Sequence, residues 1–200
     1  MTDDREVHDT DARLWEIVRS RGLGDYFLST WVECSDEDEV VRRVTAASAV
    51  RCDLQTAMRW YPFGVGDSME DTLWIGRHHR GWTHVLQISG TYSLHDSMRA
   101  SLTREGERLL SMVTTDVEGT EDLVLVENGR LVDYLRWADN TPEQPDGLFA
   151  RNMTGVRFDG PDGTQENAFL EVIGRITGEP LDETWFDGEH TFCRIVPGAW

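Results

Sequence analysis

The dipeptide Asn128-Gly129 is the feature that most constrains how this chain folds. It lies between two runs rich in apolar residues, 121–127 and 130–137. Asn-Gly is a preferred pair for a two-residue type I′ turn, because both central residues need positive backbone angles and such a turn matches the twist of paired strands. The sequence therefore predicts a β-hairpin made of these two runs.

Other short segments rich in β-branched and aromatic residues also predict strands. They are 26–34, 73–76, 82–89, 107–115 and a short closing strand at 191–196. Alternate residues of a strand share a face of the sheet. We therefore expect Trp82 and His84 on one face, and Thr83 and Val85 on the other.

Apolar residues at helical spacing predict four helices. These are 9–21, a helix that starts after Ser35, a helix that starts after Ser93, and 165–177. Serine is a preferred N-cap, and Gly178 is of the type that ends helices. The acidic run 36–39 would lie in the first turn after Ser35, where the helix dipole is positive, so local helix chemistry is enough to explain it.

Helices interspersed with an antiparallel pattern favour an α+β fold over a doubly wound one, in which strands and helices alternate throughout. We expect an antiparallel, mostly meandering sheet of about six strands with about four helices packed on it. The length of 200 residues predicts a single domain spanning 1–200. We expect residues 1–8 to be frayed, 48–71 to form an irregular connection and the proline-containing segment 138–164 to form a long loop.

The charge of the chain narrows the classes of function. Nineteen basic and 37 acidic side chains give a formal net charge of −18. This charge disfavours direct binding to nucleic-acid phosphates or to anionic membranes, and it favours basic partners over a Debye length of about 8 Å at physiological salt. A solvated acidic surface with no partner explains the same charge.

Every one of the 19 basic residues is arginine. Schiff-base chemistry, a pyridoxal phosphate anchor and a P-loop all need a lysine amine, so the sequence excludes them. GxSxG and HExxH motifs are also missing, and neither Gly22-Leu23-Gly24 nor Gly64-Val65-Gly66 has the third glycine of a dinucleotide loop. We therefore expect no cofactor, no metal and no catalytic residue.

The cysteines and the opening residues bear on location. Cys34, Cys52 and Cys193 form no CxxC pair, and the opening residues lack the basic stretch and apolar run of a secretory signal. We expect a cytoplasmic protein with reduced thiols. His190 and Cys193 could contribute to a zinc site, but such a site needs four ligands, so we expect Cys193 to pack as a small hydrophobe.

The sharpest polar cluster is Arg77-His78-His79-Arg80, with His84 following in the next predicted strand. Imidazoles in this region could ligate zinc or act as general bases. Adjacent histidines in a strand point to opposite faces, however, so His78 and His79 share a metal only if the turn twists them together. A polar hairpin tip is the simpler interpretation.

Three stretches of the chain together form a recognisable pattern: 27–46 (FLSTWVECSDEDEVVRRVTA), 75–90 (IGRHHRGWTHVLQISG) and 168–181 (AFLEVIGRITGEPL). In these stretches the chain resembles an actinobacterial family, the DUF6461 domain. The resemblance implies one domain in a cytosolic setting. It implies no catalytic residue, because the family has no established activity to transfer. The acidic segment 138–164 and the histidine-rich hairpin depart from the family pattern.

Together these features favour a non-enzymatic acidic binding protein, of an immunity or antitoxin-like kind, that neutralises a basic protein partner. Its expected partner-binding residues are Asp36, Glu37, Asp38, Glu39, His78, His79 and Arg80. The alternatives are a hydrolase that uses His78, His79 or His84, and an acidic mimic of nucleic acid.

Overall fold

The computed structural model describes residues 13–60, 70–91, 95–104, 106–115, 122–136, 140–144, 146–160 and 163–196. Its helices are α1 (Arg13–Ser20), α2 (Glu37–Arg43), α3 (Leu54–Trp60), α4 (Asp96–Leu102), α5 (Leu148–Asn152), α6 (Thr164–Thr177) and α7 (Glu183–Asp187). Its strands are β1 (Tyr26–Val32), β2 (Ala46–Cys52), β3 (Thr72–His79), β4 (Trp82–Ser89), β5 (Arg108–Thr115), β6 (Asp122–Glu127), β7 (Arg130–Arg136) and β8 (His190–Ile195). Among the described residues, no helix combines the length and apolar character needed to cross a membrane.

The α+β fold class is confirmed, with eight strands in one antiparallel sheet and seven helices among the described residues. The expected counts of about six strands and about four helices were therefore too low. Strand β2 and the short helices α3, α5 and α7 were not predicted. Helices α5 and α7 have only five residues each, which is too short to show a clear apolar period, and α3 lies just before the helix breakers Pro62, Gly64 and Gly66.

Only part of the sheet is the predicted meander, in which strands that are consecutive in sequence are neighbours. Its strand order is β2-β8-β3-β4-β1-β5-β6-β7. Strands β3 and β4 are neighbours, as are β5, β6 and β7, so these parts follow the chain. Strand β1 lies between β4 and β5, and β8 lies between β2 and β3, so distant parts of the sequence pair in the sheet.

The predicted cap of the second helix was wrong by one residue. Asp36, not Ser35, is the N-cap of α2, and its Oδ1 accepts a hydrogen bond from the Glu39 amide at 3.1 Å. A carboxylate satisfies a free N–H at this position and also interacts favourably with the helix dipole. Ser93 lies outside the described residues, and His95 is the N-cap of α4.

The described residues divide into two compact units. Unit 1 takes its described residues from 1–27, 112–124 and 133–183, and unit 2 from 28–111, 125–132 and 184–200. In unit 2, a cluster of buried apolar side chains from one face of the strands packs with α2 and α4. Its main members are Val32, Val40, Val44, Leu73, Ile75, Val85, Met98, Leu102, Leu109, Val126, Cys193 and Ile195. Cys193 is thus a buried hydrophobe, as expected.

Unit 1 contains α1 and α6. The Trp15 amide donates to Asn167 Oδ1 at 2.7 Å, and the Trp15 ring meets Phe27 edge-on at 5.7 Å. Gly163 precedes α6 with φ of +85°, and a Cβ there would lie 2.9 Å from Trp15 Cδ1. A residue without a side chain therefore lets the indole lie against the start of α6.

Two predicted irregular segments contain regular structure. The expected long loop 138–164 includes α5 and an isolated bridge between Leu135 and Pro142. The expected irregular connection 48–71 includes most of β2 and all of α3. Residues 1–8, which were expected to be frayed, lie outside the described residues.

The predicted Asn-Gly hairpin is confirmed between β6 and β7. Asn128 and Gly129 have φ of +51° and +73°, as a type I′ turn requires. The Gly129 amide donates to Thr103 Oγ1 at 2.7 Å, and Asn128 Oδ1 accepts from the Gly106 amide at 3.0 Å. The turn is therefore held by its neighbours as well as by its own backbone preference.

We predict that Gly129→Ala destabilises the protein more than Gly81→Ala does. Both glycines have positive φ, so alanine costs about 1–2 kcal/mol of backbone strain at either site. Only at Gly129 does the new Cβ also lie 3.2 Å from Ala100, whereas Gly81 has no atom within 4 Å of that position. Urea unfolding measures the free energies of both variants, and equal losses would contradict the prediction.

Candidate functional site

Most of the acidic side chains in the predicted turn 36–39 bind other groups of the same protein. Asp36 caps α2, and the Glu39 carboxylate binds Arg42 Nη2 at 2.5 Å, Arg43 Nε at 3.0 Å and the Arg104 guanidinium. Hydrogen bonds from Arg42 and then Arg43 lower the pKa of Glu39 to about 2. Asp36 and Glu39 thus have a structural role.

The other two acids of this turn differ from each other. The Glu37 carboxylate accepts hydrogen bonds from Thr191 Oγ1 at 2.7 Å and from Arg51 Nη1 at 3.2 Å. Asp38 is exposed, and its side chain makes no hydrogen bond or ion pair with the described residues. Of the four predicted partner-binding acids, Asp38 is therefore the one most available to another molecule.

The predicted histidine hairpin is shorter at its tip than the sequence indicated. Strand β3 continues to His79, and only Arg80 and Gly81 form the turn. The register passes from Arg77 opposite Thr83 to His79 opposite Trp82, so His78 lies in a bulge. Arg80 is exposed and His79 is half-buried. Among the described residues, no three histidine, cysteine, aspartate or glutamate side chains are grouped so that they could hold a metal ion.

His84 lies at the centre of an aromatic group in unit 2, which we call the histidine–tryptophan cluster. Its members are Trp31, Trp74, His78, His84, Trp185 and His190. The His84 ring stacks on Trp31 with a centroid distance of 4.3 Å and an interplanar angle of 5°, and it lies 4.1 Å from Trp185. Strand pairing explains the stack, because Trp31 and His84 are directly opposite on β1 and β4.

His84 is fully buried, and only one of its two ring nitrogens has a hydrogen-bond partner among the described residues. Its Nε2 lies 3.0 Å from Ser29 Oγ, and its Nδ1 has no hydrogen-bond partner among the described residues. Burial, followed by the nearby His78 and His190, lowers the pKa of His84 well below its usual 6.5. The ring is therefore neutral at physiological pH.

His190 reaches the cluster from β8. Its Nε2 lies 2.8 Å from the Trp185 carbonyl oxygen, and its ring centroid is 4.4 Å from that of Trp74 and 4.6 Å from that of Trp185. A Cβ on Gly76 would lie 2.2 Å from His190 Nδ1. Because Gly76 has no side chain, the His190 imidazole has room to lie against β3. Burial is the main cause that lowers the pKa of His190.

The contact between Ser29 and His84 bears on the hydrolase hypothesis. A neutral imidazole beside a serine hydroxyl is the pair that activates a nucleophile. Both residues have 0% exposure, and the free Nδ1 lacks the third group that orients the base in a triad. Burial also raises the pKa of Cys193 to about 12, which disfavours its thiolate. The arrangement favours packing over catalysis.

His84 lies in the strand predicted for it, but its aromatic partners were not predicted. Trp185 lies in a five-residue helix and His190 at the start of β8, both far from His84 in sequence. Trp74 and Trp82 are buried. The only signal in the local sequence was the alternation along β4, which predicted that His84 shares a face of the sheet with Trp82.

Comparison of the chain with protein-family models, with curated proteins and with solved structures finds no match. The resemblance to the DUF6461 domain therefore stays a prediction.

We predict that Gly76→Ala destabilises the protein by about 1–3 kcal/mol, the usual range for overpacking a core. The new methyl group would overlap the His190 ring, so His190→Ala should relieve the strain. In a double-mutant cycle by urea unfolding, the loss in the double variant should be smaller than the sum of the two single losses. Additive losses would show that the two residues are not in contact.

We also predict that the free energy of unfolding falls as the pH is lowered below 6.5. Because folding lowers the pKa of His84, the unfolded chain takes up a proton that the folded chain excludes. The expected slope is about 1.4 kcal/mol per pH unit for this one imidazole. Denaturation between pH 8 and pH 5 measures the total slope, to which His190 adds in the same direction because its pKa is also lowered. A His84→Gln variant should have a shallower slope, and an unchanged slope would contradict the assignment.

Proposed function

We propose that this chain is an acidic protein-binding protein, of an immunity or antitoxin-like kind, that neutralises a basic protein partner. The observation that carries the proposal is the formal net charge of −18, together with the way the arginines are held. Many of the arginines are engaged within the fold, although Arg80 in the hairpin turn is exposed, so the charges left to meet another molecule are mainly carboxylates.

Three arginines illustrate this internal pairing. The Arg43 side chain is only 6% exposed and binds Glu107 at 2.5 Å in addition to Glu39. Arg108 forms two hydrogen bonds of 2.6 Å with Glu33, and its guanidinium also lies 5.6 Å from the Trp82 ring centroid. Bidentate pairs of this kind fix both charges in one geometry. Arg194 is held in the same bidentate way by Glu70.

Several exposed acids have no such partner. The following side chains make no hydrogen bond or ion pair with the described residues: Asp25, Asp38, Asp146, Asp159, Glu183 and Glu189. These carboxylates remain hydrated in the free protein, so a cationic partner gains attraction without first breaking an internal pair. Long-range attraction of this kind speeds encounter and weakens as salt rises.

We predict that the full chain, used as tagged bait in a lysate of its source cells at low salt, retains a stoichiometric basic protein that elutes as salt is raised. Mass spectrometry identifies the protein, and stopped-flow association at several salt concentrations then measures the steering. Recovery of the chain alone, or a partner whose association rate does not depend on salt, would overturn the proposal.

Charge variants provide the matched control. Replacing Asp38, Glu183 and Glu189 by their amides removes three exposed charges and should slow association several-fold at low salt, an effect on rate that is typical of exposed charges. The variant Asp38→Glu/Glu183→Asp/Glu189→Asp keeps the charge and changes the shapes, so its rate should stay close to that of the parent chain.

A further inference from the structure

Strand β2 is the most exposed strand in unit 2. It is at one end of the sheet order, and among the described strands it pairs only with β8. Side chains 47–51 are exposed on both faces, although successive residues of a strand point in opposite directions. No described strand pairs with the outer edge of β2, and the side chains along that strand are open to solvent.

This edge carries few of the features that protect edge strands. Proteins usually guard such edges with lysine, proline, inward charges or bulges, because unpaired N–H and C=O groups attract other strands. The sequence of β2, AASAVRC, contains neither lysine nor proline, and Arg51 is its only charged residue. Its one irregularity lies between Ala46 and Ser48, so the pairing of 48–52 with β8 is regular.

The two faces of β2 differ in chemistry. On one face, Val50 is opposite Phe192, and the Trp60 ring meets Phe192 edge-on at 5.8 Å. Val50 and Trp60 are 49% and 50% exposed, which makes this side apolar and open. A strand beside β2 would place its own apolar side chains next to Val50, on the face that Trp60 shares through Phe192.

Acidic side chains lie beside the opposite face and the C-terminal end of β2. Arg51 points to that face, where Glu37 Oε1 is 3.2 Å from its Nη1 and the Glu189 carbonyl oxygen accepts from its Nη2. Two more carboxylates, those of Asp53 and Glu189, lie near the C-terminal end of the strand, where burial and then their charges raise the pKa of the Cys52 thiol. Cationic side chains of a partner are therefore favoured beside this part of β2.

We propose that a basic, extended segment of the partner protein adds as a further strand to the outer edge of β2. Its apolar side chains would cover Val50 and Trp60, and its alternate cationic side chains would meet the acids near Arg51. This inference rests on the proposed function and gives it a binding surface. Charge selects this occupant over a second copy of the chain, because two molecules with a net charge of −18 repel each other.

Two synthetic peptides test the mode of binding on the full chain. The probe has seven residues that alternate lysine and valine, and its control has the same residues in two blocks. Both have the same charge, but only the alternating peptide presents one basic and one apolar face as a strand. We expect it to bind at least about tenfold more tightly and to slow amide hydrogen exchange in residues 46–52, as strand addition requires. Equal binding, or binding without protection of 46–52, would overturn the inference.

A pair of variants tests the same edge with the partner or the alternating peptide. Val50→Lys places a guarding cation on β2, and Leu131→Lys makes the same change at a residue of β7 that is 56% exposed. Since both sites are exposed, both variants should keep the parental melting temperature. Val50→Lys should weaken binding about tenfold or more, while Leu131→Lys should change it less than about twofold.

The outcomes separate the two proposals. If a basic partner binds in a salt-dependent way but Val50→Lys leaves its affinity unchanged, the proposed function stands and the β2 surface is wrong. If no basic partner binds and neither peptide does, the proposed function itself fails. If sedimentation shows a dimer that Val50→Lys dissociates, the occupant of the edge is a second copy, and the inference is overturned.

Discussion

The pairing of β8 with β3 is the interaction on which the rest of unit 2 depends. Leu73 lies opposite Cys193 and Trp74 opposite Phe192. This register places Cys193 in the apolar core and turns the neighbouring Phe192 to the other face. A slip of one residue would exchange the two faces, so the core and the histidine–tryptophan cluster are specified together.

The interior of unit 2 accommodates titratable groups in two physical ways. His84 gives up its charge, because an imidazolium stacked on Trp31 would lose its hydration without gaining a carboxylate. Arg43 keeps its charge, because Glu39 and Glu107 replace the water that burial removes. The arginine-only composition suits the second solution, since a planar guanidinium can bind two carboxylates at once.

Sequence patterns predicted the elements that are marked by residues close to each other in the chain. The apolar spacing of α6 and the Asn128-Gly129 turn depend on residues near each other in sequence, and both were found close to the predicted positions. Strand β2 was missed because Ala-Ala-Ser-Ala has little β-propensity; it is a strand because β8 pairs with it. The candidate surfaces were missed for the same reason. His84 gains Trp185, and Val50 gains Phe192, only when distant segments meet in the sheet.

The position of β8 between β2 and β3 has a consequence for the order of folding. Glu37 and Thr191, which bond across this region, are 154 positions apart in sequence. Closing so long a loop costs entropy before the new contacts repay it, and folds with distant pairings form slowly. Until β8 is in place, β2 is unpaired with any described strand along both of its edges. During folding, β2 must therefore pair with β8 along its inner edge before an extended peptide adds to its outer edge.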